Sequence, residues 1–372
     1  MFGVYVHVPF CSVRCGYCDF NTYTATELGG GASQASYAGQ AAAEVALARE
    51  VTGPKPVDTV FFGGGTPTLL PPGDLVRILG AIDEHWGLVP GAEVSTEANP
   101  DSVTLQGLRE LRDGGFTRIS FGMQSAVPHV LAVLDRTHEP ANVPRAVAWA
   151  REAGFEQVSL DLIYGTPGES LDDWRRSVQT ALACEPDHVS AYSLIVEEGT
   201  ALGRQVRRGE VPMPSEDDFA EKYVLADELL RAAGLQWYEV SNWARHDAAR
   251  CRHNLGYWRS EDWWGVGPGA HSHLAGRRFW HIKHPRPYAE SVAAGKLPIL
   301  GEETLSEAEQ HTERLMLELR IVDGLETSLV AEDAMRPHLE AGLVRRAADR
   351  WVLTDSGRLL ADGIVRDLMA GD

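Results

Sequence analysis

Three of the five cysteines in this chain lie within one short segment, CSVRCGYC, at Cys11, Cys15 and Cys18. A loop with this C-x3-C-x2-C spacing can turn three thiolates toward one point. Thiolates favour zinc or iron–sulfur clusters. Structural zinc takes four protein ligands, and a cubane cluster usually takes four cysteines. The fourth ligand must come from elsewhere, because the next cysteine is Cys184 and the residue two after Cys18 is Phe20.

Two kinds of site remain open from these residues. One is a zinc site completed by a nearby histidine such as His7, or three thiols with no common role. The other is a [4Fe–4S] cluster with one open iron, which is useful only if a small molecule fills it. We expect the cluster.

Polar residues and glycines follow the other predicted strands. The segment GGGTP (63–67) follows the second strand, and a run of glycines lets a backbone approach a ligand closely. Glu97, Gln124 and Asp161 end the third, fourth and fifth strands, and Arg136 lies twelve residues after Gln124. Singly, each is an ordinary solvated or structural residue. Together they lie at the carboxyl ends of parallel strands, where such folds keep their sites, so we expect one cleft.

The elements that would position these residues alternate along the first 235 residues. The predicted strands are 4–8, 58–62, 92–98, 117–123, 157–163 and 188–194. The predicted helices are 36–51, 74–86, 103–113, 127–135, 140–153, 171–184 and 216–233. This alternation predicts an α/β fold with a parallel sheet. Six units are fewer than the eight of a closed barrel, so an incomplete barrel or an open doubly wound sheet is expected.

Three regions follow from this pattern. Residues 1–235 form the predicted core, with a mobile loop predicted at 28–33. Residues 236–284 are rich in Trp, His and Tyr, lack a helical period, and predict strands and loops over a pocket. Residues 285–372 predict a helix, a short hairpin (LVRRAADRWVLT) and a helix, an α+β arrangement that resembles a winged helix.

Composition and charge limit the function. The net charge is 34 − 53 = −19, which disfavours nucleic acid as a partner. Residues 301–372 carry 16 acidic and 8 basic residues, which suits a docking module better than a DNA-binding one. No apolar segment approaches the ~20 residues of a membrane span, and the first residues do not resemble a signal peptide. We expect a cytoplasmic protein whose cysteines serve a metal site in a reducing compartment.

The cysteine spacing and the GGGTP segment together resemble the radical S-adenosylmethionine (SAM) superfamily, in its coproporphyrinogen-oxidase-like branch, over nearly the whole chain. In that superfamily, SAM chelates the fourth iron of a [4Fe–4S] cluster through its amino and carboxylate groups. The resemblance implies a partial (β/α)6 barrel with a cluster at the three cysteines. It also implies that these residues contact SAM: Tyr5, Tyr17, Gly64, Gly65, Thr66, Glu97, Gln124, Arg136 and Asp161.

Two members of the branch are relevant: the oxygen-independent coproporphyrinogen III oxidase and the HemW-type haem chaperone. The oxidase has a further cysteine two residues after the third, where this chain has Phe20, and a long segment before its first strand, which here begins by residue 4. HNLGYW (253–258) matches the H-N-x-x-Y-W motif of the chaperone.

That motif has a physical rationale as a haem site. His253 can donate a ring nitrogen to iron, and Asn254 can fix its orientation. Tyr257 and Trp258 supply flat apolar area for a porphyrin. The same motif would also suit a structural histidine that is hydrogen-bonded among aromatic core residues. The companion motifs favour the haem site. Lesser candidate ligands are Cys251, His271 and His273.

We therefore expect a haem chaperone that carries a SAM-coordinated [4Fe–4S] cluster and lacks coproporphyrinogen oxidase activity. The family implies transfer of haem to acceptor proteins, including membrane-associated ones, and dimerisation. The alternatives are the oxidase itself and, from a different class, a metal-dependent regulator that uses the winged-helix-like region.

Overall fold

The computed structural model describes residues 1–28 and 33–370. Six parallel strands pair in chain order: β1 (Phe2–Val8), β2 (Val57–Gly64), β3 (Leu88–Ala98), β4 (Arg118–Gln124), β5 (Gln157–Tyr164) and β6 (His188–Ser193). Each lies within a few residues of a predicted strand, so the predicted α/β class is confirmed. The loop predicted at 28–33 lies, in its 29–32 part, outside the described residues.

Helices precede, connect and follow these strands. They are α1 (Ala25–Leu28), α2 (Gln34–Thr52), α3 (Pro72–Trp86), α4 (Leu105–Asp113), α5 (Pro128–Val133), α6 (Asn142–Glu152), α7 (Leu171–Ala183), α8 (Ala201–Arg207) and α9 (Glu216–Ala232). The seven predicted core helices are confirmed. In the described ranges, no helix has both the length and the apolar character needed to cross a membrane.

The strands bury one face against helices and turn a polar face inward. On β4, Ile119, Phe121 and Met123 are fully buried. Their neighbours Arg118 and Ser120 line a cavity instead. Successive strand side chains point to opposite faces, so one strand supplies both the core and the cavity wall.

Both edges of the six-stranded unit carry further strands. Beside β6 lie β7 (Gln236–Glu239) and β8 (Asn242–Ala244), and beside β1 lie β9 (Asp262–Val266), β10 (His271–Leu274), β11 (Arg277–His281) and β12 (Ile299–Thr304). Two helices accompany them, α10 (Arg252–Trp258) and α11 (Pro285–Ala293). The expectation of only strands and loops over 236–284 was wrong, because the HNLGYW segment lies in α10.

The C-terminal unit has its own hydrophobic cluster, which includes Leu315, Leu319 and Trp351. Its elements are α12 (Glu307–Glu318), β13 (Leu325–Glu326), α13 (Glu332–Glu340), β14 (Val344–Ala347), β15 (Arg350–Leu353), α14 (Asp355–Arg358) and α15 (Ala361–Ala370). The predicted hairpin is confirmed as the antiparallel pair of β14 and β15. Because β12 belongs to the large sheet, the change from one sheet to the other falls after Thr304, later than residue 285.

Candidate functional site

One cavity of about 730 Å³ brings most of the predicted site residues together. It opens at the carboxyl ends of the parallel strands, beside the cysteine loop. The predicted residues that line it are Cys11, Cys15, Cys18, Tyr17, Gly64, Gly65, Thr66, Glu97, Gln124, Arg136, Asp161, Asn254, Trp258 and, among the lesser candidates, Cys251. Tyr5, His253 and Tyr257 are not on the wall of this cavity.

The three cysteines of the loop are free thiols of intermediate exposure. Burial raises the pKa of Cys11, and burial with the charges of the neighbouring thiols raises that of Cys18 to about 11. Arg136 Nη1 lies 3.6 Å from Cys15 Sγ and donates to it. Three thiolates side by side therefore need a cationic centre that favours their charged form, which iron supplies.

Three thiols on one loop fit a cubane cluster, because each thiolate of such a cluster binds a different iron. His7, the alternative zinc ligand, is engaged elsewhere: its Nδ1 lies 3.1 Å from Tyr5 Oη and its Nε2 lies 2.9 Å from the carbonyl oxygen of Asn21.

The glycine segment packs directly against the start of the cysteine loop. Thr66 N–H donates to the Phe10 carbonyl oxygen over 2.7 Å. Gly64 has φ +105°, and a Cβ there would lie 2.6 Å from the His7 ring. A Cβ on Gly65 would lie 2.4 Å from the Phe10 carbonyl oxygen. Both positions require glycine, since a side chain would strike the His7 ring from position 64 and the backbone that leads into the cysteine loop from position 65.

Two half-buried carboxyls, of Glu97 and Asp161, form the acidic wall of the cavity. The Gly64 N–H donates to Glu97 Oε2 over 3.2 Å. Burial, together with the charge of Asp161, raises the pKa of Glu97 to about 8. Ser120 Oγ lies 2.9 and 2.8 Å from the two Asp161 carboxylate oxygens, to which it can donate, and burial raises the pKa of Asp161. Because the pKa values of Glu97 and Asp161 are raised, a bound cationic ligand or additional hydrogen-bond donors would stabilise their ionised forms.

Arg136 spans the end of β4 and the cysteine loop. Its Nη2 donates to the Gly122 carbonyl oxygen over 2.8 Å. Its buried Nε has no hydrogen-bond partner among the described residues. Gln124 beside it has φ +60°, a left-handed conformation for a residue that lines the cavity. A free N–H on a buried guanidinium suits an anionic group of a ligand.

Tyr5 lies on β1 behind this wall. Its ring stacks on Phe61, with centroids 6.4 Å apart, and Phe61 is the ring that lines the cavity. Tyr5 Oη contacts His7, which lies against Gly64. Tyr5 thus supports the glycine segment from below.

His253 is enclosed between α10 and the sheet. Its Nδ1 lies 2.8 Å from Thr59 Oγ1, and its Nε2 lies 2.8 Å from Tyr257 Oη. Its ring stacks on Phe61 at a centroid distance of 5.4 Å. The residue is 2% exposed, and burial lowers its pKa to about 3. In this conformation His253 is neutral, and both ring nitrogens are in hydrogen bonds.

The cavity side of α10 carries Asn254 and Trp258. Burial raises the pKa of the neighbouring Glu239 carboxyl to about 8. Of the lesser candidates, Cys251 is fully buried on the cavity wall. His271 stacks on Trp280 at 6.0 Å, and His273 Nδ1 lies 3.1 Å from the Glu261 carbonyl oxygen. Neither of these histidines lines the cavity.

Several cavity residues were missed from the sequence. On the strands they are Arg118, Ser120, Ser159, His188, Ser190 and Tyr192, and at the mouth they are Val13, Phe20 and Ile195. A signal existed for the strand residues: in TRISFGM and QVSLDLI, polar residues alternate with apolar ones. The mouth residues lie in loops and carry no periodic signal.

The chain is similar to known proteins over its whole length. The model of the Radical SAM superfamily matches residues 5–181. The protein named Heme chaperone HemW of Mycobacterium tuberculosis (strain ATCC 25618 / H37Rv) is 50% identical over 372 residues, covering 99% of this chain and 95% of the relative. The protein of the same name from Bacillus subtilis (strain 168) is 32% identical and covers 98% of both chains.

A solved structure supports the fold. Coproporphyrinogen III oxidase (HemN) from Escherichia coli, described as a Radical SAM enzyme, superposes with a TM-score of 0.84. It covers 99% of this chain and 89% of its own, at 22% sequence identity. The expected radical-SAM barrel architecture is thereby confirmed.

Proposed function

This chain belongs to the HemW heme chaperone family within the radical SAM superfamily, and from that premise we propose that it binds haem and transfers it to acceptor proteins. The observation that carries the proposal is 50% identity to Heme chaperone HemW along 99% of the chain. Because the alignment covers 99% of the chain, it includes the cavity and its loops.

We propose that the cysteine loop holds a [4Fe–4S] cluster, which the superfamily implies together with SAM. The thiolates of Cys11, Cys15 and Cys18 would bind three irons, and the fourth iron would take SAM. The proposed SAM contacts on the cavity wall are Tyr17, Gly64, Gly65, Thr66, Glu97, Gln124, Arg136 and Asp161. Tyr5 belongs to the same proposed set through its support of His7 and Gly64.

The residues at the cavity mouth are suited to binding a flat apolar ligand. Val13, Phe20, Tyr192 and Ile195 line it, and their exposed fractions of 48%, 59%, 41% and 66% are high for large hydrophobic residues. Exposed apolar side chains gathered at one opening mark a binding surface. A porphyrin macrocycle has the shape and polarity for such a rim.

We propose α10 as part of the haem site, with Asn254 and Trp258 as the contacts on the cavity wall. His253 is the proposed iron ligand, with Tyr257 as its neighbour. Ligation by His253 requires its ring to give up the hydrogen bond to Thr59 or to Tyr257, since both nitrogens are engaged. Haem binding would then be coupled to a movement of α10.

The finer properties of the partners are also proposals. The acceptors would include membrane-associated haem proteins, and the chaperone would act in the cytoplasm as a homodimer. A net charge of −19 supports a protein partner over nucleic acid. We therefore do not favour the winged-helix regulator.

Haem titration of anaerobically reconstituted protein tests the proposed function. We expect a saturable Soret band, followed by transfer of that band to an added apo-haemoprotein. A protein that binds no haem, or that binds it but never releases it to the acceptor, would contradict the proposal. Zinc in place of iron and sulfide in the purified protein would contradict the proposed cluster.

A second candidate is the oxidative decarboxylation of coproporphyrinogen III. The observation that favours it is the superposition on HemN with a TM-score of 0.84. Anaerobic incubation with coproporphyrinogen III, SAM and a reductant distinguishes the two functions. We expect no protoporphyrinogen, and its formation would establish the oxidase.

A further inference from the structure

A buried arginine on the cavity wall has no acidic partner. Arg118 is 3% exposed, begins β4, and lines the cavity. Among the described residues, the hydrogen-bond partner of its guanidinium is the Ala249 carbonyl oxygen, which accepts from Nη1 at 2.7 Å. No ion pair of Arg118 occurs within the described ranges 1–28 and 33–370. A guanidinium held in a low-dielectric interior needs more partners than one carbonyl.

The nearby carboxylates are committed to other groups. Glu93 accepts the N–H groups of Arg252 and His253, each at 3.0 Å. Asp161 accepts a hydrogen bond from Ser120. Burial lowers the pKa of Arg118, but the charges of Cys251, Glu93, Tyr238 and Asp161 together raise it above its ordinary value, so the guanidinium remains charged.

Arg118 lies at the end of the cavity away from the cysteine loop. Arg118 is paired in register with Ser95 of β3 and with Gln157 of β5. It precedes Ser120 by two residues and Gly122 by four on β4. The Gly122 carbonyl oxygen accepts a hydrogen bond from Arg136. At the usual rise of about 3.3 Å per strand residue, the two arginine sites are about 13 Å apart along β4.

The residues around Arg118 suit an anion. The buried Ser95 hydroxyl beside Arg118 has no hydrogen-bond partner among the described residues. The Ser120 and Ser159 hydroxyls on the cavity wall are already bonded to Asp161 and to His188. Guanidinium and hydroxyl groups together recognise carboxylates through charge-assisted hydrogen bonds.

We propose that Arg118 is a carboxylate-binding subsite at the base of the cavity and that it takes a propionate of haem. This inference rests on the proposed function. The apolar residues lie at the mouth of the cavity, and the Arg118 guanidinium lies at its base. This arrangement suits a ligand with a flat apolar body and an acidic edge. SAM also carries a carboxylate, but its proposed contacts lie at the cysteine end, beside Arg136.

The test compares haem with haem dimethyl ester, in which both propionates are blocked, on the reconstituted protein with SAM. The wild type is expected to bind haem on the order of tenfold more tightly than the ester, as for a charge-assisted hydrogen bond. Arg118→Gln should lose that preference and bind the ester like the wild type, while Arg118→Lys, which keeps the charge, should retain part of it.

Arg245→Gln is the matched control. Arg245 also donates to backbone carbonyls, of Ala233 and Pro186, but does not line the cavity. Its preference for haem should equal that of the wild type. Far-UV circular dichroism and a wild-type urea unfolding midpoint should show independently that Arg118→Gln is folded.

The outcomes separate the two proposals. If the wild type binds haem and the ester equally, or if Arg118→Gln keeps the full preference, the subsite is refuted and the chaperone function stands. If Arg118→Gln keeps the preference but loses SAM binding, the carboxylate belongs to SAM. If the wild type binds neither porphyrin, the proposed function fails and the subsite fails with it.

Discussion

The two ring nitrogens of His253 decide whether it can bind iron. Tyr257 Oη lies 2.8 Å from Nε2, so Tyr257→Phe frees that nitrogen and keeps the aromatic ring. We expect Tyr257→Phe to strengthen haem binding several-fold, because the cost of breaking one hydrogen bond is removed. His253→Ala should weaken or shift the Soret band.

Thr59→Val provides the companion variant, since it frees Nδ1 at nearly constant volume. If Tyr257→Phe, Thr59→Val and His253→Ala all give the wild-type Soret titration, His253 is not a haem ligand. The histidine would then act only as packing between Phe61 and Tyr257.

The carboxyl of Glu97 should make stability depend on pH. Its pKa is about 8 in the folded protein, against 4.5 ordinarily, because it is buried. The folded state therefore holds a proton that the unfolded state has lost between these values, so stability falls as pH rises from about 5 to 8. Urea unfolding of cluster-free protein should show a loss on the order of a few kcal/mol.

Glu97→Gln should flatten part of this dependence, because its amide does not titrate. Glu239, with a pKa also near 8, should account for a further part. Glu84→Gln, on an exposed position of α3, is the control and should keep the wild-type slope. A Glu97→Gln profile parallel to the wild type would contradict the assignment.

At the scale of elements, Glu93 fixes α10 to the sheet. Its carboxylate oxygens accept the N–H groups of Arg252 and His253, which begin the helix. Glu93→Ala leaves these donors unpaired in the interior and should destabilise the protein by about 1–3 kcal/mol. Haem affinity should fall as well if α10 carries the haem contacts.

Chemical denaturation measures the first effect and Soret titration the second. Glu84→Ala, on the exposed side of α3, is expected to change unfolding free energy by less than about 0.5 kcal/mol. If Glu93→Ala has the wild-type free energy of unfolding, the hydrogen bonds of Glu93 to the start of α10 do not contribute to stability.

The strands were predictable because their pattern is local. A buried face every second residue marks β4 and β5 in the sequence, and the turn residues after them mark the cavity edge. The helix α10 was not predictable, since seven residues span too few turns for a period to emerge. Its helical form depends on Glu93, which lies about 160 positions earlier.

The same limit applies to the state of His253. A match to H-N-x-x-Y-W identifies the residue, but its partner Thr59 is 194 residues away in sequence. Sequence reasoning therefore located the cysteines and the cavity wall, whose positions follow from strand ends. It could not locate Arg118 as a cavity residue without the register that joins β3, β4 and β5.

At the scale of the whole molecule, the C-terminal unit packs against β7 and α10. Val322 N–H donates to the Tyr238 carbonyl oxygen at 2.8 Å, and Arg259 pairs with Asp323. Leu255 of α10 packs in one cluster with Ile321. The helix that carries the HNLGYW segment thus lies between the sheet and this unit, so movement of one affects the other.

Arg358 links the two units through a buried ion pair. It donates to both carboxylate oxygens of Asp227 on α9, at 3.2 and 3.1 Å, and lies over the Trp237 ring at 4.7 Å. Its side chain is 3% exposed. Arg358→Ala removes two of the hydrogen bonds to the Asp227 carboxylate, which keeps those from Trp243 and Arg231, and should cost about 1.5–3 kcal/mol.

Hydrogen exchange distinguishes undocking from general unfolding. We expect Arg358→Ala to increase exchange over 307–370 and in α10 while β1 to β5 stay protected, since the core of the sheet does not depend on this contact. Arg336→Ala removes an exposed ion pair with Asp333 within the same unit and should change neither. Faster exchange confined to 307–370, with α10 unaffected, would show that the C-terminal unit does not support the haem segment.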